Sequence, residues 1–210
     1  MSNRLLLDND IFLLLSGAGL LEDSVAALGF SLGDVRRLDS LEHMLRKPAR
    51  SLSRYSEEIL ARAANDCSRV AALDEEPDEQ MLELFGAHAT NVHVGEALLL
   101  ALTASHEDYY FGTNDKTALR AVAREAGLAE LRERVAGRII CLEIVVKRLI
   151  ERMGTEELAT RLAPVLRFDS RLFVIFSPVE SGRPEDCPIA VESFISDLRR
   201  ELGGDFLWQP

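Results

Sequence analysis

Apolar and polar positions change their period several times along this chain, and each change marks an element. Leu5-Leu6-Leu7 is a short continuous apolar run closed by Asp8-Asn9-Asp10. Such a run reads as a strand buried on both faces, as in a parallel sheet. Ile11 to Leu15, then Gly17 to Leu28, predict helix, with Gly29 as the stop. Val35 to Leu38 predicts a second strand. The next helix, through Leu41, Met44 and Leu45, is capped by Asp39 or Ser40 and broken by Pro48. Ser56 caps a helix whose apolar positions Ile59, Leu60, Ala63, Val70 and Leu73 carry it to residue 73. An acidic turn over 74–78 leads to a helical piece from Glu79 to Phe85 and to a strongly apolar helix from Ala97 to Ala104. Tyr109 to Phe111 reads as a strand, Gly112 to Asp115 as the loop after it, and Lys116 to Ala126 as a helix closed by Gly127. Arg138 to Leu142 is a further strand, and Val145 to Met153 a helix ending at Gly154.

Strands alternating with helices predict an α/β fold, a central parallel sheet covered on both faces as a three-layer α/β/α sandwich. The texture changes after residue 154. A short helix near Glu156 to Leu162, an apolar stretch from Leu172 to Phe176, a Pro/Gly-rich loop over 178–188 and an amphipathic helix over 189–202 follow. Phe194, Ile195, Leu198 and Leu202, then Phe206, Leu207 and Trp208, carry more apolar surface than a free tail leaves in water. The expectation is a domain over 1–154 and a C-terminal extension over 155–210. The extension packs on the core or on a second copy of the chain.

Composition narrows the function. Of 210 residues, 47% are apolar and 28% charged, the profile of a globular protein. The formal charge of −11 excludes a generic basic coat for nucleic acid but not a local basic stripe. Cys67, Cys141 and Cys187 are odd in number and lack metal spacing, which points away from a disulfide scaffold and toward a reducing compartment. The four histidines form no HxxxH or HExxH pattern. The first apolar run, Ile11 to Leu15, follows two acids and falls short of the ~20 residues of a membrane span. The expected setting is cytoplasmic, away from membranes.

The acids fall where chemistry is expected. In open α/β sheets, ligands bind beyond the carboxyl ends of the strands. Asp8 and Asp10 follow the first predicted strand, and Asp115 follows the strand that starts at Tyr109. Glu96 opens a helix after a small Gly95, and Glu42 lies in the first turn after the second strand. Carboxylates converging on one edge repel one another without a cation, and hard oxygen ligands suit Mg²⁺ or Mn²⁺. Each acid also has a plain structural role, Asp8 and Asp115 as helix caps, Glu96 and Glu42 as first-turn acids favoured by the helix dipole.

Three motifs in order carry a resemblance. Leu5-Leu6-Leu7-Asp8-Asn9-Asp10 resembles the opening strand and first acid of PIN-domain nucleases. Gly95-Glu96-Ala97-Leu98 resembles the Gly-Glu-Ala helix start of one branch of that family, and Gly112-Thr113-Asn114-Asp115-Lys116 its Thr-x-Asp-Lys/Arg loop. The resemblance covers roughly residues 4–150. It implies an α/β/α sandwich that binds Mg²⁺ or Mn²⁺ through acids and cuts single-stranded RNA. Asp8, Glu96 and Asp115 are then catalytic acids, and with Glu42 they form the metal set. Asp10, Thr113 and Asn114 support them. Lys116 and Arg120, one helical turn apart, are candidates for holding substrate phosphates, against a solvated-face reading in which Arg120 pairs with acids. The basic run Arg46, Lys47, Arg50 and Arg54 is a candidate RNA arm. The resemblance leaves an inhibitor protein and a homodimer open as partners.

Two other functions compete. Leu-Leu-Leu-Asp-Asn-Asp also resembles the first motif of haloacid-dehalogenase-like phosphatases, with Asp8 as nucleophile and Asp10 as general acid. That reading lacks a convincing lysine and late acidic pair. A non-catalytic PIN-like binding or regulatory module is the third, although a scaffold has no need of mutually repelling carboxylates.

Overall fold

The computed structural model describes residues 3–47, 53, 55–89 and 92–209. Among them, strands β1 (Arg4–Leu7), β2 (Val35–Arg37), β3 (Ala71–Ala72), β4 (Tyr109–Thr113) and β5 (Ile139–Cys141) form one all-parallel sheet. Its order is β3-β2-β1-β4-β5. Parallel neighbours need long crossovers, and helices supply them. Helices α1 (Asn9–Gly17) and α2 (Leu21–Ala27) join β1 to β2, and α3 (Asp39–Arg46) and α4 (Glu57–Arg69) join β2 to β3. Helices α5 (Glu79–His88) and α6 (Val94–Ser105) lead to β4, and α7 (Lys116–Arg124) and α8 (Ala129–Val135) to β5. Then come α9 (Leu142–Met153), α10 (Thr155–Leu162), α11 (Ser170–Glu180) and α12 (Asp186–Leu202). The chain is an α/β protein whose parallel sheet is flanked by helices, α1 packing on α4 and α6 on α5 and α8. Leu5, Leu6 and Leu7 are buried, as a central strand with both faces covered requires.

Register sets the carboxyl edge. Leu7 pairs with Arg37 on one side and Gly112 on the other, so Asp8, Leu38 and Thr113 are level. Thr113 is in turn level with Cys141 of β5. The Asp8 N–H donates to Gly112 O at 3.1 Å. Gly112 permits this close seating. A Cβ there would meet Leu7 Cδ2 at 2.5 Å, with Leu6 O at 3.6 Å. Gly112→Ala should therefore cost about 1–3 kcal/mol by overpacking the strand pair. Urea unfolding measures it, and an unchanged midpoint would mean that Leu7 moves aside freely.

Several elements differ from the sequence expectation. The helix from Ser56 ends at Arg69, not at residue 73, because β-branched Val70 turns extended and Ala71–Ala72 add to β2. Leu73 N continues that edge by donating to Arg37 O at 2.8 Å. Ser56 does cap α4, accepting from Ile59 N. Helix α3 starts at Asp39 with Leu38 at the cap and no side-chain cap from Asp39 or Ser40. Pro48, Arg50 and Arg54 lie outside the described residues. The apolar stretch Leu172 to Phe176 lies inside α11, which runs through Pro178. Proline lacks the N–H that would reach Val174 O, and the Ser177 hydroxyl donates to that oxygen instead, at 2.9 Å.

The extension lies against the same core. Helix α12 packs on α9 and α11, and α10 on α9. Past α12, Phe206 and Leu207 are buried, Leu207 bridges to Ile139, and Trp208 N donates to Ile139 O at 2.8 Å. The chain end thus covers the open edge of β5. All three cysteines are free and buried, and burial pushes the Cys141 thiol up to about 12. Among the described residues, no helix is long and apolar enough to cross a membrane.

Candidate functional site

Strand order reverses between β1 and β4, the place where an open α/β sheet commonly forms a ligand crevice beyond its carboxyl ends. Asp8 stands at this edge, 3% exposed. It leaves β1 with extended backbone and caps α1, its Oδ1 accepting from Ile11 N at 2.7 Å. Its Oδ2 accepts from the Thr113 hydroxyl and from Asn114 N, the latter at 3.0 Å. A carboxylate has about four lone-pair sites. Three are used, which leaves Oδ1 one more.

Burial pushes the Asp8 carboxyl up to about 6 against the three hydrogen bonds that favour its charge, and nearby Asp10 adds a smaller push. Like-charge repulsion is thus the lesser cause here. The same order holds at Glu96, in the first turn of α6. Burial raises its pKa most, and Asp115 and Asp10 raise it further. Glu96 Oε2 is buried with no partner among the described residues, and so is Asn9 Oδ1 beside Asp8. Gly95 lets this turn sit against the end of β2, since a Cβ there would lie 2.9 Å from Leu38 Cδ1.

The loop after β4 is rigid by construction. Thr113 Oγ1, fully buried, donates to Asp8 and accepts from Asp115 N at 2.9 Å. Asp115 caps α7, its Oδ1 accepting from Thr117 N and Ala118 N. One hydroxyl therefore ties the Asp8 carboxylate to the backbone of Asp115. Asp8, Asp10, Glu96 and Asp115 all belong to this edge.

Glu42 is held by two arginines. Its two carboxylate oxygens face Arg37 and Arg46, Arg37 Nη2 at 3.2 Å. With those two arginines it lines a separate cavity of about 390 Å³ against Ala64, Cys67 and Ser68 of α4. Strand β2 ends in a buried arginine, which pairs with Glu42, the second acid of the next helix. Lys116 and Arg120 do not stand as free phosphate donors. Lys116 is buried, with Nζ 2.8 Å from Glu143 Oε2 in an ion pair. Arg120 forks onto Glu201 of α12 at 2.7 and 3.1 Å, and Arg124 shares that carboxylate.

Glu143, Asp169 and Arg171 were missed by the motif reading. Glu143 follows β5 as Asp8 follows β1, an acid after the apolar run Ile139 to Leu142, so the signal was present. Burial pushes its carboxyl up, but the Lys116 ammonium, its own backbone N–H and Arg171 together outweigh burial and hold it below the ordinary carboxylate value. Arg171 Nη1 approaches Glu143 Oε1 at 3.4 Å. Asp169 caps α11 and accepts from Asn114 Nδ2 at 2.7 Å. Asp169 carries only the local signature of a helix cap.

The donor set of the crevice is made of hard oxygens, and the orphaned Glu96 oxygen among acids fits a divalent cation in its chemistry. Among the described residues, no three His, Cys, Asp or Glu side chains converge as a metal site. The fit is thus one of donor type and charge, with no enclosed position. The chain matches no family model, no curated protein and no solved structure with which it was compared.

Proposed function

We propose that this chain is a divalent-metal-dependent nuclease that hydrolyses single-stranded RNA on a PIN-like three-layer fold. The observation that carries the reading is the Glu96 carboxylate. One of its oxygens is buried and unpartnered, and it is pressed by Asp115 and Asp10 at the crevice that holds Asp8. Buried carboxyls without partners are costly, and a cation removes that cost. Asp8 and Asp115 would hold Mg²⁺ or Mn²⁺, with Glu96 as a further ligand or as the base. When bound, such a cation supplies Lewis acidity to a phosphoryl oxygen and to water.

The chain's own residues do the rest. Thr113 and the Asn114 N–H orient Asp8 and leave one lone pair of its Oδ1 open. Glu96, with its pKa raised, is suited to take the proton of the attacking water. The water oxygen bonds to phosphorus as the bond to the leaving ribose oxygen breaks, and that oxygen gains a proton.

The test is cleavage of a short labelled RNA with Mn²⁺, by the wild type, Asp8→Asn and Glu96→Gln. Each variant should keep its circular dichroism and lose about 100-fold or more in kcat. A wild type that neither binds Mn²⁺ in calorimetry nor cuts RNA would leave the fold as a binding module instead.

A further inference from the structure

We infer that the C-terminal extension completes the site, with Asp169 as a positioning residue that acts on Asp8 through Asn114. The inference rests on the reading of Asp8 as a member of the metal-dependent site. The two oxygens of Asp169 do two separate jobs. Oδ1 caps α11, accepting from Arg171 N and Leu172 N at 2.9 Å each. Oδ2 accepts from Asn114 Nδ2 at 2.7 Å.

Asn114 is the hinge of the arrangement. Its side-chain oxygen accepts from Lys116 Nζ at 3.2 Å, and its backbone N–H donates to Asp8 Oδ2 at 3.0 Å. An ammonium on one side and a carboxylate on the other fix which way the amide faces. A flipped amide would set its NH₂ against Lys116 and its oxygen against Asp169. Lys116 pairs with Glu143, and Arg171 approaches Glu143 from the extension. The contacts therefore close a ring from Asp169 through Asn114, Lys116, Glu143 and Arg171 back to α11. The ring spans the ends of β4 and β5 and ties both to a segment outside the 1–154 domain. Outer residues that orient a metal-site ligand commonly change affinity or activity by about 10- to 100-fold when removed.

Asp169→Ser separates the two jobs. Serine caps a helix as well as aspartate does, but it lacks the second oxygen that Asn114 uses. Asp169→Asn, which keeps size and the Oδ1 cap while placing a donor against the Asn114 donor, serves as the second variant should the serine protein fail to fold. The full chain is titrated with Mn²⁺ alone by calorimetry, and kcat and KM are measured on a short single-stranded RNA. Asp169→Ser should bind Mn²⁺ about tenfold more weakly and lose a similar factor in kcat, with KM for RNA little changed. Asn114→Ala should lose at least as much, since it also removes the Lys116 contact, and the double variant should be no worse than Asn114→Ala, because the Asp169 interaction is already gone there. A capping defect alone would give additive losses and would be matched by the urea midpoint. Unchanged Mn²⁺ affinity and kcat in Asp169→Ser, or additivity with Asn114→Ala, overturns the inference. If the wild type itself neither binds Mn²⁺ nor cuts RNA, the metal reading fails on its own. Hydrogen exchange of the Asn114 and Asp115 amides then decides the positioning role. Faster exchange in Asp169→Ser sustains it, and unchanged exchange ends it.

Discussion

Lys116→Met should lower the stability of the protein by about 3–5 kcal/mol, the range for removing one partner of a buried ion pair. Both side chains are almost wholly out of water, Lys116 at 3% and Glu143 at 2% exposure. Methionine fills most of the lysine volume, so the loss is that of the charge rather than of packing. It leaves the carboxylate with Arg171, at 3.4 Å, as its remaining cation among the described residues. A domain of this kind has roughly 5–15 kcal/mol in total, so the variant stands near its unfolding threshold. The pH dependence should change sign as well. In the wild type the Glu143 carboxyl sits below its ordinary 4.5, so the pair stabilises above that pH and is lost as pH falls through the lower folded value. In Lys116→Met burial dominates, the carboxyl rises above 4.5, and stability falls as pH rises instead. Urea unfolding between pH 4 and 8 reads both effects. Glu143→Leu added to Lys116→Met should recover most of the loss, because two apolar groups replace a pair at little cost. A loss below about 1 kcal/mol in the single variant would show water or another charge reaching Glu143.

The same pair shows where sequence reading reaches and where it stops. Asp8 and Asp115 were legible because each ends a strand whose apolar run is long enough to be recognised, and a parallel sheet brings such ends to one edge. The strands themselves, apart from the two-residue β3, follow from the same apolar runs. Lys116, Arg120 and Arg124 fall one helical turn apart and read as a solvated stripe, yet Lys116 is buried and Arg120 and Arg124 share Glu201. Helical spacing gives the direction of a side chain, but what lies in that direction is set by β5 and α12, far along the chain. The pairing of Glu42 was unread for a nearer reason. Strand β2 stops at an arginine, and that arginine pairs with the Glu42 carboxylate. Asp169 was illegible because its local role is complete. A residue that already caps a helix gives no sign that its second oxygen is used by Asn114, 55 positions away.

Asp8 carries the second large effect. Its folded pKa is raised from 3.8 to about 6, chiefly by burial. Below 3.8 the carboxyl is protonated in both folded and unfolded chains, and it makes no pH-dependent contribution. As pH rises past that value the unfolded chain loses the proton first, while the folded chain keeps it until about 6. The folded state then binds more protons, so stability falls across that window and levels off above it. The fall amounts to about 3 kcal/mol at 1.36 kcal/mol per pKa unit. Asp8→Asn has no such proton. Its amide keeps the Ile11 cap but sets a donor against Asn114 N–H, a cost that does not depend on pH. The stability of Asp8→Asn relative to wild type should therefore climb by about 2 kcal/mol, most of that fall, between pH 4 and 6.5, measured by urea unfolding in the presence of a chelator. A flat difference would mean that Asp8 titrates as an exposed acid. Adding Mn²⁺ at pH 7 turns the same comparison onto the site. A cation held by Asp8 stabilises the folded wild type by mass action, by about 2.7 kcal/mol at a hundredfold excess over Kd. It should do so far less in Asp8→Asn, where the ligand charge is gone. Equal Mn²⁺ stabilisation of both proteins would place any bound cation away from Asp8, and with it the chemistry assigned to this crevice.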